Sequence, residues 1–128
     1  MAENQKALLA GFGKDALKEL GGILSSYGIE PVEVTPDKYN YPLTAIMGDR
    51  PYFGAMPFKG PALQETLCVL HGMRGTQMEN ILDAFRNSKY RPDLMAVTTP
   101  TNAKWSLLAL YNELCRERDN LRTRRGNL

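Results

Sequence analysis

The chain has 128 residues, 43% of them hydrophobic and 23% charged, with a formal net charge of +2. That length and balance fit one globular domain and exclude collagen, coiled coil and intrinsic disorder. No apolar run approaches the ~20 residues that span a bilayer, and the polar start Met1–Lys6 is unlike a secretory leader, so a cytoplasmic protein with reduced Cys68 and Cys115 and no membrane partner is expected.

In chain order, Ala7-Leu8-Leu9-Ala10 is a short apolar run closed by Gly11, the pattern of a buried strand. From Lys14 to Tyr27, residues Ala16, Leu17, Leu20, Ile23, Leu24 and Tyr27 recur at the three-four spacing of one buried helix stripe, and Gly28 is placed to end that helix in a left-handed cap. A second strand follows at Pro31–Val34. Tyr39 to Met47 contains Pro42 and leaves room for at most a short helical piece. Residues 48–65 form a connector broken by Pro51, Pro57 and Pro61; its Tyr52, Phe53, Met56 and Phe58 are apolar enough to be packed down. Leu67–Met73 reads as a third strand. Thr76 and Glu79 have capping-box spacing before a helix with the stripe Met78, Ile81, Leu82 and Phe85. Leu94–Thr98 reads as a fourth strand, and Thr101-Asn102 as the cap of a long helix from Ala103 to about Asn120.

These elements fall into two units with one plan, about 6–47 and 66–120. Gly11 matches Gly72, Leu17 Met78, Leu20 Ile81 and Leu24 Phe85, each 61 residues apart; Thr35-Pro36 then matches Thr99-Pro100 at 64. The spacing predicts an internal duplication with three extra residues in the second copy. The expected fold is α/β: two tandem strand–helix–strand units forming a four-stranded sheet, plus a long C-terminal helix. The expected core is Leu8, Leu9, Leu17, Leu20, Ile23, Leu24, Val32, Val34, Val69, Leu70, Ile81, Leu82, Phe85, Val97, Leu108 and Leu114. Open sheet edges make a homodimer an expectation.

The run Ala96-Val97-Thr98-Thr99-Pro100-Thr101-Asn102-Ala103-Lys104-Trp105, followed by Leu110-Tyr111-Asn112-Glu113-Leu114, resembles a small bacterial domain family of unknown function, DUF3783. In that family a strand ends in a Thr-Pro-Thr-Asn turn, followed by a Trp and a Leu- and Glu-rich helix. The resemblance covers about residues 66–120 and implies a small α/β domain without assigned activity, cofactor or catalytic residues. The first unit lacks the Asn and Trp after its Thr35-Pro36.

The sharpest chemical motif is Gly11-Phe12-Gly13-Lys14-Asp15-Ala16, which follows a strand and opens a helix, with Glu33 at the end of the next strand. In a dinucleotide fold such glycines admit a pyrophosphate and the acid binds the ribose. The second unit keeps only the first glycine, in His71-Gly72-Met73-Arg74-Gly75, so the shared glycine reads first as a turn residue and no cofactor is expected. His71 is the only histidine, and no metal-ligand spacing or catalytic constellation accompanies it. Both cysteines read as buried small hydrophobes. Residues 104–128 carry Lys104, Arg116, Arg118, Arg122, Arg124 and Arg125 against three acids, leaving a near-neutral body and a basic end.

The leading reading is therefore a non-enzymatic protein-interaction or regulatory module with Tyr52, Phe53, Phe58 and Trp105 as its surface. The alternative is a small anion or nucleotide at Gly11, Gly13, Lys14, His71, Gly72 and Arg74; a pocket holding both His71 and Gly11 would favour it. A weak nucleic-acid contact through the terminal arginines comes third.

Overall fold

A computed structural model describes residues 5–48, 54 and 56–126. Four strands, β1 (Lys6–Ala10), β2 (Glu30–Val34), β3 (Leu67–His71) and β4 (Leu94–Val97), form one sheet in the order β2-β1-β3-β4. β1 runs parallel to β2, and β3 parallel to β4; the central pair β1–β3 is antiparallel. The helices are α1 (Lys14–Ser26), α2 (Leu43–Met47), α3 (Gln77–Arg86) and α4 (Leu107–Gly126), with 3-10 turns at Pro36–Lys38 and Asn102–Lys104. The expected α/β class, four-stranded sheet and long C-terminal helix are all present. Among the described residues no helix is long and apolar enough to cross a membrane.

The continuous apolar runs occupy the sheet centre because only strands covered on both faces need them. Alternation divides their side chains. Ala7, Leu9, Cys68 and Leu70 join Leu20 and Leu24 of α1 and Ile81 and Phe85 of α3 in one core. Leu8, Ala10, Leu67 and Val69 join Leu43 and Ile46 of α2 and Leu107 and Leu110 of α4 in the other. The sheet is thus sandwiched between α1 with α3 and α2 with α4. Two cores also explain the buried residues that a single helix stripe misses, including Tyr39, Leu43 and Leu107.

Four local expectations need correction. Val97, expected in the core, is 39% exposed because β4 is an edge strand. Leu17, Ile23, Val32, Leu82, Leu108 and Leu114 are half-buried at the margins of the cores. α4 starts at Leu107 rather than Ala103: Trp105 is extended, with its carbonyl accepting from Leu43 N–H at 2.9 Å, so the helix begins after Ser106, whose hydroxyl accepts from Ala109 N–H at 3.1 Å. Thr76 makes no side-chain cap, since its ψ of 4° lies outside the extended conformation a capping hydroxyl needs. Gly28, with φ +77°, closes α1 as expected.

Candidate functional site

Antiparallel pairing of β1 with β3 puts the two glycine turns at opposite ends of the sheet. Lys6 lies opposite His71, and Ala10 opposite Leu67. His71 faces Lys6, five residues from Gly11, so the two are separated by roughly 17 Å along the strand at 3.4 Å per residue. The six candidate ligand residues therefore form two groups at opposite ends of the sheet.

At the first turn, Gly11 has φ +86°, and a Cβ on it would lie 2.9 Å from the Glu65 carbonyl oxygen. The close approach that glycine permits here is used by the chain's own connector. Glu33 does reach the same crevice, which is about 180 Å³ and is also lined by Tyr39, Ala62 and Leu63. Tyr39 is buried, hydrogen-bonds the Leu63 backbone and stacks at a tilt on Phe58, with ring centroids 5.6 Å apart. Burial pushes the Tyr39 hydroxyl pKa up. Phe58 N–H donates to Asp37 carbonyl at 3.1 Å. The connector thus lines the crevice that Glu33 reaches, and Phe58 belongs to the packed core margin.

On the other side of Phe12 an open cleft of about 450 Å³ is lined by Gly13, Lys14, Asp15, Lys89, Tyr90 and Arg91, among others. Gly13 caps α1 without a side-chain hydrogen bond, and nothing lies within 4 Å of where its Cβ would be. Three cationic side chains therefore border the start of α1, with Asp15 in its first turn. The cleft floor is shut by Asp93, which accepts from Thr66 N–H at 3.0 Å while its own N–H donates to Thr66 Oγ1 at 2.8 Å.

The second turn is internally satisfied. Gln5 and Gln77 form a reciprocal amide pair at 2.6 and 3.0 Å. Gln5 Nε2 also donates to Gly72 carbonyl at 2.9 Å, and Gln77 Oε1 accepts from Arg74 N–H at 3.0 Å. His71 Nδ1 and Thr98 Oγ1 are 2.8 Å apart. Sequence reading missed the Gln5–Gln77 pair because its members are 72 residues apart.

Asn102 organises the turn after β4. Its Oδ1 accepts from Thr99 N–H at 2.8 Å, its Nδ2 donates to Val97 carbonyl at 3.0 Å, and its carbonyl accepts from Trp105 N–H at 2.9 Å. One side chain and its backbone therefore fix both Val97 and Trp105, which is 37% exposed. Tyr52 and Phe53, the other members of the expected surface, lie outside the described residues.

Among the described side chains, the three arginines of α4 are each paired with an acid. Arg118 forks onto both carboxylate oxygens of Glu65, Arg116 pairs with Glu113, and Arg122 approaches Asp119 at 4.0 Å. The Arg118 hydrogen bonds hold the Glu65 carboxyl below its usual pKa. Cys115 Sγ sits 3.7 Å from Glu65 Oε2, and burial raises its thiol pKa; Cys68 is fully buried and pushed up to about 12. Both cysteines are free. The side chains of Arg124 and Arg125 lie outside the described residues. Among the described residues no group of His, Cys, Asp and Glu could hold a metal ion.

Residues 66–121 match the family model described as a domain of unknown function (DUF3783), so the stretch from β3 through most of α4 is similar to that domain. No curated protein and no solved structure matches the chain.

Proposed function

We propose that the protein is a non-enzymatic interaction module of the cytoplasm that takes an extended segment of a partner protein along the outer edge of β4. There Asn102 Nδ2 occupies the Val97 carbonyl, and the Met95 backbone and the Val97 N–H face outward. The observation that carries this reading is the contrast between the two sheet edges. On β2, Glu30 N–H points inward to Gln5 carbonyl at 3.0 Å, so the outward positions are Pro31 and Glu33. Proline has no donor and glutamate adds charge, two devices that protect an edge. On β4, Leu94 and Thr98 N–H groups point inward to Thr66 and Leu70 carbonyls at 2.9 and 3.0 Å, which turns Met95 and Val97 outward. This edge, Leu-Met-Ala-Val, has neither charge nor proline. Added strands gain main-chain hydrogen bonds from such an edge and specificity from neighbouring side chains; exposed Val97 and Trp105 supply the apolar contact. The two free thiols support a reducing compartment.

The test is selection from a displayed library of linear peptides, followed by amide chemical-shift mapping. Extended, proline-free apolar peptides should perturb Met95, Val97 and Trp105. Val97→Pro removes only an outward donor and should abolish binding while leaving the melting temperature within a few degrees. Selected peptides that map elsewhere, or that bind Val97→Pro unchanged, overturn the reading.

A second reading, a small anion in the cleft at Gly13, is supported by the convergence of Lys14, Lys89 and Arg91 on the uncapped start of α1. Inorganic phosphate and ATP titrated against the melting temperature test it; no shift at millimolar ligand removes it.

A further inference from the structure

The register of the central strands carries an inference beyond the edge of β4. Every β1–β3 pair, from Lys6↔His71 to Ala10↔Leu67, has residue numbers summing to 77. A shift of 61, the spacing of the matched glycines, takes Lys6 to Leu67 and Ala10 to His71. It therefore converts the pair Lys6↔His71 into Ala10↔Leu67, which is itself a pair, and leaves Leu8↔Val69 as its own image. Any antiparallel register carries pairs onto pairs in this way. What is specific here is that a facing pair at the middle of both strands, Leu8↔Val69, is separated by the same 61 residues as the matched glycines, whereas a slip of one residue would leave no pair on the axis. The observed register is that of a two-fold axis through Leu8 and Val69, where residue i meets j and j meets i.

The same exchange holds at a second, independent place. Pro42 and Ser106 form an isolated antiparallel bridge. Leu43 N–H donates to Trp105 carbonyl at 2.9 Å, and Leu107 N–H to Tyr41 carbonyl at 3.1 Å. A shift of 64 carries Tyr41, Pro42 and Leu43 onto Trp105, Ser106 and Leu107, so the two hydrogen bonds exchange with each other. The change from 61 to 64 is also visible in the sheet: β1 pairs with β2 at a separation of 24, as Lys6↔Glu30, and β3 with β4 at 27, as Leu67↔Leu94. The three additional residues thus lie between α3 and β4.

We infer that residues 5–48 and 66–121 are two copies of one unit, that the β1–β3 seam is a fused two-fold dimer interface, and that the 66–121 unit retains the ability to pair through β3 with a second copy of itself. The departure from symmetry has a local cause. Lys6 stands where the second copy has Leu67, and its Nζ donates to Met47 carbonyl at 2.7 Å. This occupies the carbonyl of the last residue of the short α2. At the equivalent place, Tyr111, α4 continues over Leu67. Two 66–121 units would meet with Leu67 at both places, so both long helices run on.

A specific-protease site inserted between Gly54 and Ala55 tests this. After cutting, the halves should remain one species with the mass of the intact chain; halves that part overturn the inference. Separated in denaturant and refolded alone, the C-terminal half should give twice its own mass by light scattering, and adding the N-terminal half should convert it to a one-to-one species. Recovery of that species shows the fragment competent to fold, so a C-terminal half that reforms it yet stays monomeric or unfolded alone also overturns the inference.

Discussion

A Cβ built on Gly11 would stand 2.9 Å from the carbonyl oxygen of Glu65, the residue that Arg118 of α4 grips with two hydrogen bonds. A tight turn, the connector and the long helix therefore meet at one point. Gly11→Ala carries two penalties: a left-handed backbone at φ +86°, about 1–2 kcal/mol for an L-residue, and a clash with backbone that has no flexible end to move. Gly13→Ala carries neither, having open space and a φ of −81°, and should cost under about 1 kcal/mol. Urea unfolding of both variants checks the difference; equal losses contradict it.

The Glu65–Arg118 pair makes stability depend on acid. The folded carboxyl has a lowered pKa because Arg118 hydrogen-bonds its charged form. Its contribution is fully present above the unfolded value of about 4.3 and is lost as pH falls through the lower folded value. Glu65→Gln should melt lower than the parent at pH 7, with the gap closing toward pH 3. A gap that stays constant with pH rules out this linkage.

Thiol reactivity should follow burial. Cys68, pushed up to about 12, presents almost no thiolate at neutral pH and should react with Ellman's reagent only on unfolding. Cys115, half-buried beside Glu65 with a raised pKa, should react slowly in the native protein, and faster in Glu65→Gln. Rapid release of two equivalents from native protein contradicts this.

Core variants separate the faces of α3. Ile81 is fully buried and Leu82 half-buried. Ile81→Ala should cost about 2–5 kcal/mol, and Leu82→Ala clearly less. Equal costs in urea unfolding would show that the facing of α3 is misassigned.

Asn102→Ala removes two side-chain hydrogen bonds from the turn that holds Val97 and Trp105. The expected loss is about 1–3 kcal/mol at 0.5–1.5 per bond. Trp105 is the only tryptophan, so its fluorescence should shift in the folded variant. An unchanged spectrum with unchanged stability argues against this role.

Much of the architecture was legible in the chain itself. Leu8-Leu9 and Val69-Leu70 identified buried strands because apolar runs without alternation need cover on both sides. Leu20, Leu24, Ile81 and Phe85 showed which helix faces turn inward, and Gly28 the end of α1. Periods of this kind are local, and local sterics and burial enforce them. Pairing partners are not local. The antiparallel joining of β1 to β3 separated Gly11 from His71 and gave the Gly11 approach to Glu65. It also closed the second turn through Gln5 and Gln77, and decided which strands became edges. Nothing in a single run of residues specifies those distances, because each depends on chain segments tens of residues apart meeting around two shared cores.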